Sequence, residues 1–482
     1  MFIKKFLIIF ILLYQTAAFS KVSDKNDFNQ RYLSNYFSAI LSFNNQDNFN
    51  SLRFFEDSKV LLNKHDNFLK KYVFSLVLDG QVSKAIKEIK NSKNTKNSNF
   101  FEANLLMTLD SISKRKYKQA SLKLQKLEIS SNKENYQIVI SKTLEDYNSL
   151  FRHKRFKENS NNFGKLDLIS SAFQNCYINS SKTSSYFLKL INTPDRDYSR
   201  YLYFYLSNLI KNEEIQSAKE ISDTIDPLRN SLLIIQAKNW IDRKKYQRFK
   251  KYFSCNNEND LLGEFFFLIS NLYSSQNRIE ESNFYLNISN FLNPKFYFNL
   301  SLIAENHFSK KNFKHTTDIL KKFNEKDEIY NWYKVKKIAK IYSEEANKEK
   351  SLQYLNKKLN EFKNPSIKVL FDLANIHKNF KNYKKSIKYY SIVLAKLDEN
   401  SLAYADVLYR RGGSYERLGN YTKSDLDLKK SLKIRPDDPY TLNYLAYGWL
   451  ERDYKINEAI EMLNRAYLKK KNDPYITDSI GW

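Results

Sequence analysis

The chain has 482 residues, with 80 Lys and Arg against 53 Asp and Glu, a formal net charge of +27 with histidine neutral. Only 8 glycines, 7 prolines and 2 cysteines exclude loop-rich β folds, Gly-rich or collagen-like chains and a disulfide framework. At 42% hydrophobic and 15% aromatic there is ample material for a core, which excludes wholesale disorder.

Residues 1–20, MFIKKFLIIFILLYQTAAFS, have the three-part layout of a secretory signal peptide. Lys4 and Lys5 form the positive region, Phe6 to Tyr14 the apolar one, and Thr16 to Ser20 supplies small residues. Cleavage is expected after Ser20 or Ala18. The apolar run is short of the roughly 20 residues that a membrane span needs. No Cys follows it, so a lipid-modified N-terminus is excluded. Loss of Lys4 and Lys5 leaves +25 on the mature chain, which is expected to be soluble outside the cytoplasm.

Residues 405–438 carry the clearest periodic block, with Leu408, Gly412 and Tyr415 in one half and Tyr421, Ser424, Leu428 and Ser431 in the other. Spacings of 3 and 4 place one stripe on each of two helices. Gly419-Asn420 is the turn between them, and Pro436 ends the second. Gly412 is small because two helices approach there. The phasing recurs from starts at 263, 297, 332, 367, 405, 439 and 474. An N-terminal set begins near 32, 66 and 101, with Ala85 and Ala120 in the same small slot. Between 136 and 262 the period slips, and 157–164 is a looser stretch.

These residues resemble the tetratricopeptide repeat (TPR) family, with small residues at repeat positions 8, 20 and 27 and Pro at 32. The chain departs from the family in placing Ser or Thr where Ala is usual. The resemblance implies an all-α fold, a right-handed solenoid of stacked antiparallel helix pairs. The expected division is a signal peptide at 1–20, N-terminal repeats at 31–135, divergent helical repeats at 136–262 and a C-terminal array at 263–482. With its signal-like start, the chain is similar to long exported TPR proteins of Gram-negative, alphaproteobacterial envelopes. Asp473-Pro474-Tyr475 repeats Asp438-Pro439-Tyr440, so a new helix opens and stops at Trp482. Because solenoid ends need capping, the chain is expected to be incomplete there.

No catalytic, metal or cofactor constellation stands out. His65, His153, His307, His315 and His377 form no ligand spacing, and neither Cys has a CxxC partner. His307 and His377 fall on a packing position and are expected to be satisfied core histidines. Cys176 and Cys255 fall about two repeats apart and are expected to be buried free thiols, since a disulfide needs Cα atoms within roughly 7 Å. Gly412-Gly413 lies inside a helix and cannot serve as a phosphate loop. The expectation is a protein that is not an enzyme and takes no cofactor or metal.

The TPR resemblance implies that repeat positions 2, 5, 9 and 12 line a groove that takes a peptide or protein partner. The candidates are Tyr333, Lys336, Lys340, Lys368, Phe371, Asn375, Tyr409, Tyr440, Asn443 and Tyr447, with the neighbouring Arg410 and Tyr444. Aromatic rings give contact area at low entropy cost, and amides satisfy a peptide backbone. The family's clamp for terminal carboxylates is absent, because Phe371 and Asn375 are followed by Arg410, then Tyr440 and Tyr444. The expected role is a periplasmic interaction scaffold. Two alternatives are an adaptor for anionic envelope polymers or lipid surfaces, through runs such as Lys469-Lys470-Lys471, and the superhelical part of an envelope enzyme whose catalytic domain lies beyond 482. No nucleic-acid partner is expected of an exported chain.

Overall fold

The computed structural model describes residues 29–481, apart from 66, 93–97, 131–135, 158–162, 194–198 and 346. The signal-like segment 1–20 and Trp482 lie outside the described residues. Among the described residues there are 26 α-helices and no strand. The fold is all-α, built from antiparallel helix pairs.

In chain order the helices begin with α1 (Gln30–Asn44), α2 (Asn48–Asp57), α3 (Phe68–Leu78), α4 (Val82–Asn91), α5 (Phe101–Ser113), α6 (Tyr117–Ile129) and α7 (Gln137–His153). Then come α8 (Lys165–Tyr177), α9 (Thr183–Ile191), α10 (Ser199–Lys211), α11 (Ile215–Asp223), α12 (Leu232–Asp242) and α13 (Gln247–Tyr252). The pairs α14 (Glu258–Ser275) and α15 (Ile279–Leu292), α16 (Leu300–Ser309) and α17 (Phe313–Leu320), and α18 (Glu328–Glu344) and α19 (Lys348–Leu359) follow. The last are α20 (Ile367–Asn379) and α21 (Tyr383–Leu394), α22 (Leu402–Glu416) and α23 (Tyr421–Ile434), α24 (Pro439–Leu450) and α25 (Ile456–Lys469), and α26 (Pro474–Gly481).

A left-handed residue punctuates most helix-pair turns. Gly80, Arg115, Glu213, Lys244, Asn277, Lys311, Lys381, Gly419 and Asp453 all have φ between 51° and 77°. After several of them the next amide reaches back to the first helix, as in Gln81 N–H to Leu76 O at 2.8 Å and Asn382 N–H to His377 O at 2.8 Å. This closes orphan carbonyls of a helix end. The chain fills most of these turns with Lys, Arg, Asn or acids instead of glycine.

At the small-residue contacts between paired helices, serine hydroxyls find a carbonyl on the facing helix. Ser51 donates to Ala39 O at 3.1 Å and Ser351 to Ala339 O at 2.8 Å, each across twelve residues. Ser289 donates to Gly263 O at 2.6 Å and Ser431 to Ala405 O at 2.9 Å, each across twenty-six. A small side chain lets the helices approach, and its hydroxyl uses the spare lone pair of a helical carbonyl. Gly412 is the tightest such approach: an added Cβ would stand 3.0 Å from Leu428 Cγ and 3.3 Å from Ser424 O.

The chain divides into two compact units. One takes the described residues up to 167 together with 258–294; the other takes 168–257 and residues from 295 on. In the first, α14 and α15 pack on helices about 140 to 210 residues earlier. Phe284 stacks on Phe74 at 4.7 Å, Asn287 Nδ2 donates to Leu78 O at 3.0 Å, and Tyr117 OH donates to Glu258 at 2.7 Å.

In the second unit the divergent stretch folds back on itself. Phe173 of α8 meets Phe204 of α10 at 5.0 Å and Phe253 at 6.0 Å, and Asn256 Nδ2 donates to Tyr177 O at 2.8 Å. This return corrects the expectation of two free thiols. Cys176 and Cys255 form a disulfide with Cα atoms 5.6 Å apart. Counting repeats along a straight stack separated them, whereas the irregular helices α8–α13 bring both ends of the stretch together.

The histidine expectation also needs correction. His377 is buried, but neither ring nitrogen has a hydrogen-bond partner among the described residues. It stacks on Tyr389 at 5.6 Å instead. Burial, with Lys385 nearby, lowers its pKa.

Candidate peptide-binding groove

The first helices of four successive pairs, α18, α20, α22 and α24, present the candidate groove residues. Each helix is amphipathic on the pattern read from the sequence: Trp332, Val335 and Ala339, Leu370, Leu373 and Ala374, Leu408, and Leu445, Ala446 and Trp449 enter buried clusters. Positions between those apolar residues necessarily turn toward the neighbouring first helix.

At the α18 end the candidates are consumed by internal pairs. Tyr333 is buried, which raises its pKa, and its hydroxyl donates to Glu305 at 2.7 Å, adding to the rise. Lys336 Nζ meets Asp372 Oδ2 at 2.5 Å, and Lys368 Nζ meets Asp372 Oδ1 at 2.9 Å. Trp332 Nε1 donates to the same carboxylate at 3.2 Å. Burial pulls the Lys336 pKa down against the pull of Asp372. Lys340 lies over the Phe308 ring at 5.0 Å. Asp372 is the residue that sequence reasoning missed: it sits one place past Phe371, beside a groove position and not on one.

From α20 onward the candidates form a strip. Asn375 Oδ1 accepts from Tyr390 OH at 2.6 Å and from Arg410 at 3.4 Å. Arg410 also reaches Asp406 at 3.4 Å and lies 5.4 Å over the Phe371 ring. Tyr409 and Tyr444 meet edge to face at 5.8 Å, and Tyr444 OH donates to Glu416 at 2.8 Å. Burial raises both phenols, Glu416 adding to the effect at Tyr444.

Gly413 lies at the centre of this strip. A Cβ there would sit 3.3 Å from Tyr444 Oη and 3.4 Å from Lys378 Nζ. Lys378 has its pKa lowered by burial and by the neighbouring Arg410 and Arg417. On α24, Asn443 Oδ1 is buried with no hydrogen-bond partner among the described residues. The strip therefore combines cations with two tyrosine rings, packed over the buried glycine turn of α22, and a buried amide acceptor beside them.

Tyr440 does not join it. Its hydroxyl donates to Asp473 at 3.0 Å and accepts from Lys470 at 2.8 Å, tying it to the turn before α26. Tyr447 stands one turn beyond Asn443, where Glu451 raises its pKa.

The N-terminal part of the groove already holds a piece of this chain. The segment between α11 and α12 places Leu228 among Leu370, Phe371, Tyr404 and Val407. Lys368 Nζ donates to Leu228 O at 3.0 Å, and Arg229 pairs with Asp406 at 2.6 Å. Sequence reading had no groove role for this stretch. Its signal was the irregular Asp226-Pro227-Leu228-Arg229-Asn230, a turn-rich interruption where the repeat period slips.

Comparison with known proteins bears on the same region. Residues 405–438 match the family model for the tetratricopeptide repeat. A TPR repeat-containing protein of Pseudomonas aeruginosa is 31% identical over 77 residues, which cover 16% of this chain and only 13% of that relative. Among solved structures, yeast Tom70 is similar at 14% identity and a TM-score of 0.37, over 94% of both chains. The Cut9–Hcn1 hetero-tetramer structure is similar at 14% identity and a TM-score of 0.34, over 94% of this chain and 96% of that one.

Proposed function

We propose that this chain is a non-enzymatic protein-interaction scaffold of the periplasm or cell envelope, taking an extended segment of a protein partner along α20, α22 and α24. The observation that carries the reading is the strip around Gly413, where Lys378, Arg410, Tyr409 and Tyr444 of successive first helices gather on one face. The missing Cβ at Gly413 leaves room for the Tyr444 hydroxyl and the Lys378 ammonium to sit against α22. Lysine and arginine donate to the carbonyls of an extended segment, and the tyrosine rings give it contact area. The tetratricopeptide match at 405–438, which includes most of α22 and all of α23, supports an interaction role in general.

Two observations support export. Residues 1–20 have the layout of a signal peptide, and a disulfide such as Cys176–Cys255 persists most readily in an oxidising compartment.

Photo-crosslinking in cells tests the reading, with the reactive residue placed in turn at Tyr409, Asn443 and Tyr447. Leu426 on α23, which is exposed, serves as the control. A discrete protein adduct at the groove positions, absent at 426 and formed equally at high salt, supports the scaffold. Equal labelling at all four positions, or labelling that vanishes with salt, overturns it in favour of adhesion through net positive charge.

A further inference from the structure

The segment Asp226–Asn230 sits in the groove in the manner of a bound peptide. It shapes itself: Asp226 Oδ1 accepts from the amides of Leu228 at 2.7 Å and Arg229 at 3.3 Å, and Asn230 Nδ2 donates to Asp226 O at 2.9 Å. Three groups are then offered outward, namely the Leu228 side chain, its carbonyl and the Arg229 guanidinium.

Each meets a complementary group on the first helices. The Leu228 side chain is only 3% exposed, within the cluster that includes Phe371 and Tyr404. The carbonyl takes the Lys368 ammonium, and the guanidinium takes Asp406. Asp406 is almost wholly covered, while the Arg229 side chain remains 53% exposed. The receptor half of the pair is thus built into α22, and the ligand half stays open to solvent. Apolar pocket, ammonium donor and carboxylate together read an apolar residue followed by arginine.

We propose that α20 and α22 form a receptor for an extended partner segment bearing an apolar residue followed by arginine, and that Asp226–Asn230 is its resident competitor. This deepens the scaffold reading and rests on it, since the same groove is involved. The resident segment covers the Lys368, Phe371 and Asp406 end. A partner gains the whole groove, from Lys368 to Asn443, by displacing it.

The test uses the full chain and a fluorescein-labelled peptide with the sequence of Thr224–Ser231. The double variant Leu228→Ser, Arg229→Ser vacates the groove and should bind the probe at least about tenfold more tightly than the wild type. Adding Asp406→Asn, or replacing the probe's arginine by alanine, should remove that gain. A vacated variant with wild-type helix content that binds no better than wild type overturns the proposal.

Hydrogen exchange on the wild type covers the case of a vacated variant that does not fold. Amides of Leu228 and Arg229 should exchange at least about tenfold faster than those inside α20 and α22. Exchange at the same rate would make the segment a permanent strut and overturn the proposal. The two readings fail separately. Crosslinks at Asn443 without probe binding leave the scaffold and remove the resident competitor. Probe binding without crosslinks in cells removes the scaffold role instead.

Discussion

Ser431 on α23 donates its hydroxyl to the carbonyl of Ala405 on α22, 2.9 Å away, and Ser289 repeats the geometry with Gly263 in the first unit. The bond supplements a carbonyl that already serves its own helix, so losing it strands no donor. Ser431→Ala should therefore destabilise the C-terminal repeats by only about 1 kcal/mol. Ser431→Val should do more harm, because two added methyl groups enter a contact made for a small residue. Urea unfolding of the two variants gives the order; a more stable Val variant would contradict it.

The left-handed turn residues lead to a pair of opposite expectations. Lys381 holds φ 59° and Gly419 φ 71° at equivalent turns. A side chain in that region costs roughly 1 kcal/mol that glycine avoids. Lys381→Gly should stabilise by several tenths of a kcal/mol, and Gly419→Ala should destabilise by about 1 kcal/mol. Nothing lies within 4 Å of a Cβ at Gly419, so the second effect is one of backbone alone. Thermal melts that shift in the same direction for both would refute the assignment.

The disulfide links residues 79 apart in the chain. Closing a loop of that size restricts the unfolded chain by roughly 4 kcal/mol in the chain-entropy account. Cys176→Ser with Cys255→Ser, or addition of reductant, should lower the melting temperature of the helices α8–α13. An unchanged melt in reductant would mean that the aromatic packing of Phe173, Phe204 and Phe253 alone holds this region.

Acid should loosen the α16–α17 pair. Burial and the facing His315 push His307 down to about 4 from an ordinary 6.5, the rings being 5.4 Å apart. The unfolded chain takes up this proton first. Stability is complete above pH 6.5, then falls as the pH drops through 6.5 toward 4, by on the order of 3 kcal/mol. His377 adds to it in the same direction. His307→Phe should keep the neutral-pH melt and show a smaller drop at pH 4.5. A drop equal to the wild type would remove His307 as the cause.

Much of the fold was legible because packing positions recur. Leu408, Gly412, Leu428 and Trp449 occupy buried places that spacing alone assigns. The groove was legible by helix face, as Asn375, Arg410 and Tyr444 show, but occupancy was not. Whether Lys368 is free depends on Asp372 and on Leu228, the latter 140 residues away in a stretch without clear period. The disulfide was hidden for the same reason. Periodicity reports contacts between neighbouring helices, whereas the return of an irregular segment is set by tertiary packing.

Asp372 decides how much of the groove is structural. It holds Lys336 and Lys368 on its two oxygens and takes the Trp332 indole N–H as well. Asp372→Ala leaves Lys336 without its carboxylate in a site where burial already lowers its pKa. Breaking a buried pair from one side costs about 3–5 kcal/mol. Asp372→Asn keeps a hydrogen-bond acceptor for Trp332 and should fall between wild type and Ala. Lys336→Met with Asp372→Leu removes both charges and should recover most of the loss, because well-packed apolar replacements of buried pairs are often neutral. Urea unfolding of the three variants tests the order. If Asp372→Ala unfolds within about 1 kcal/mol of wild type, the two lysines are effectively solvated and remain available to a partner.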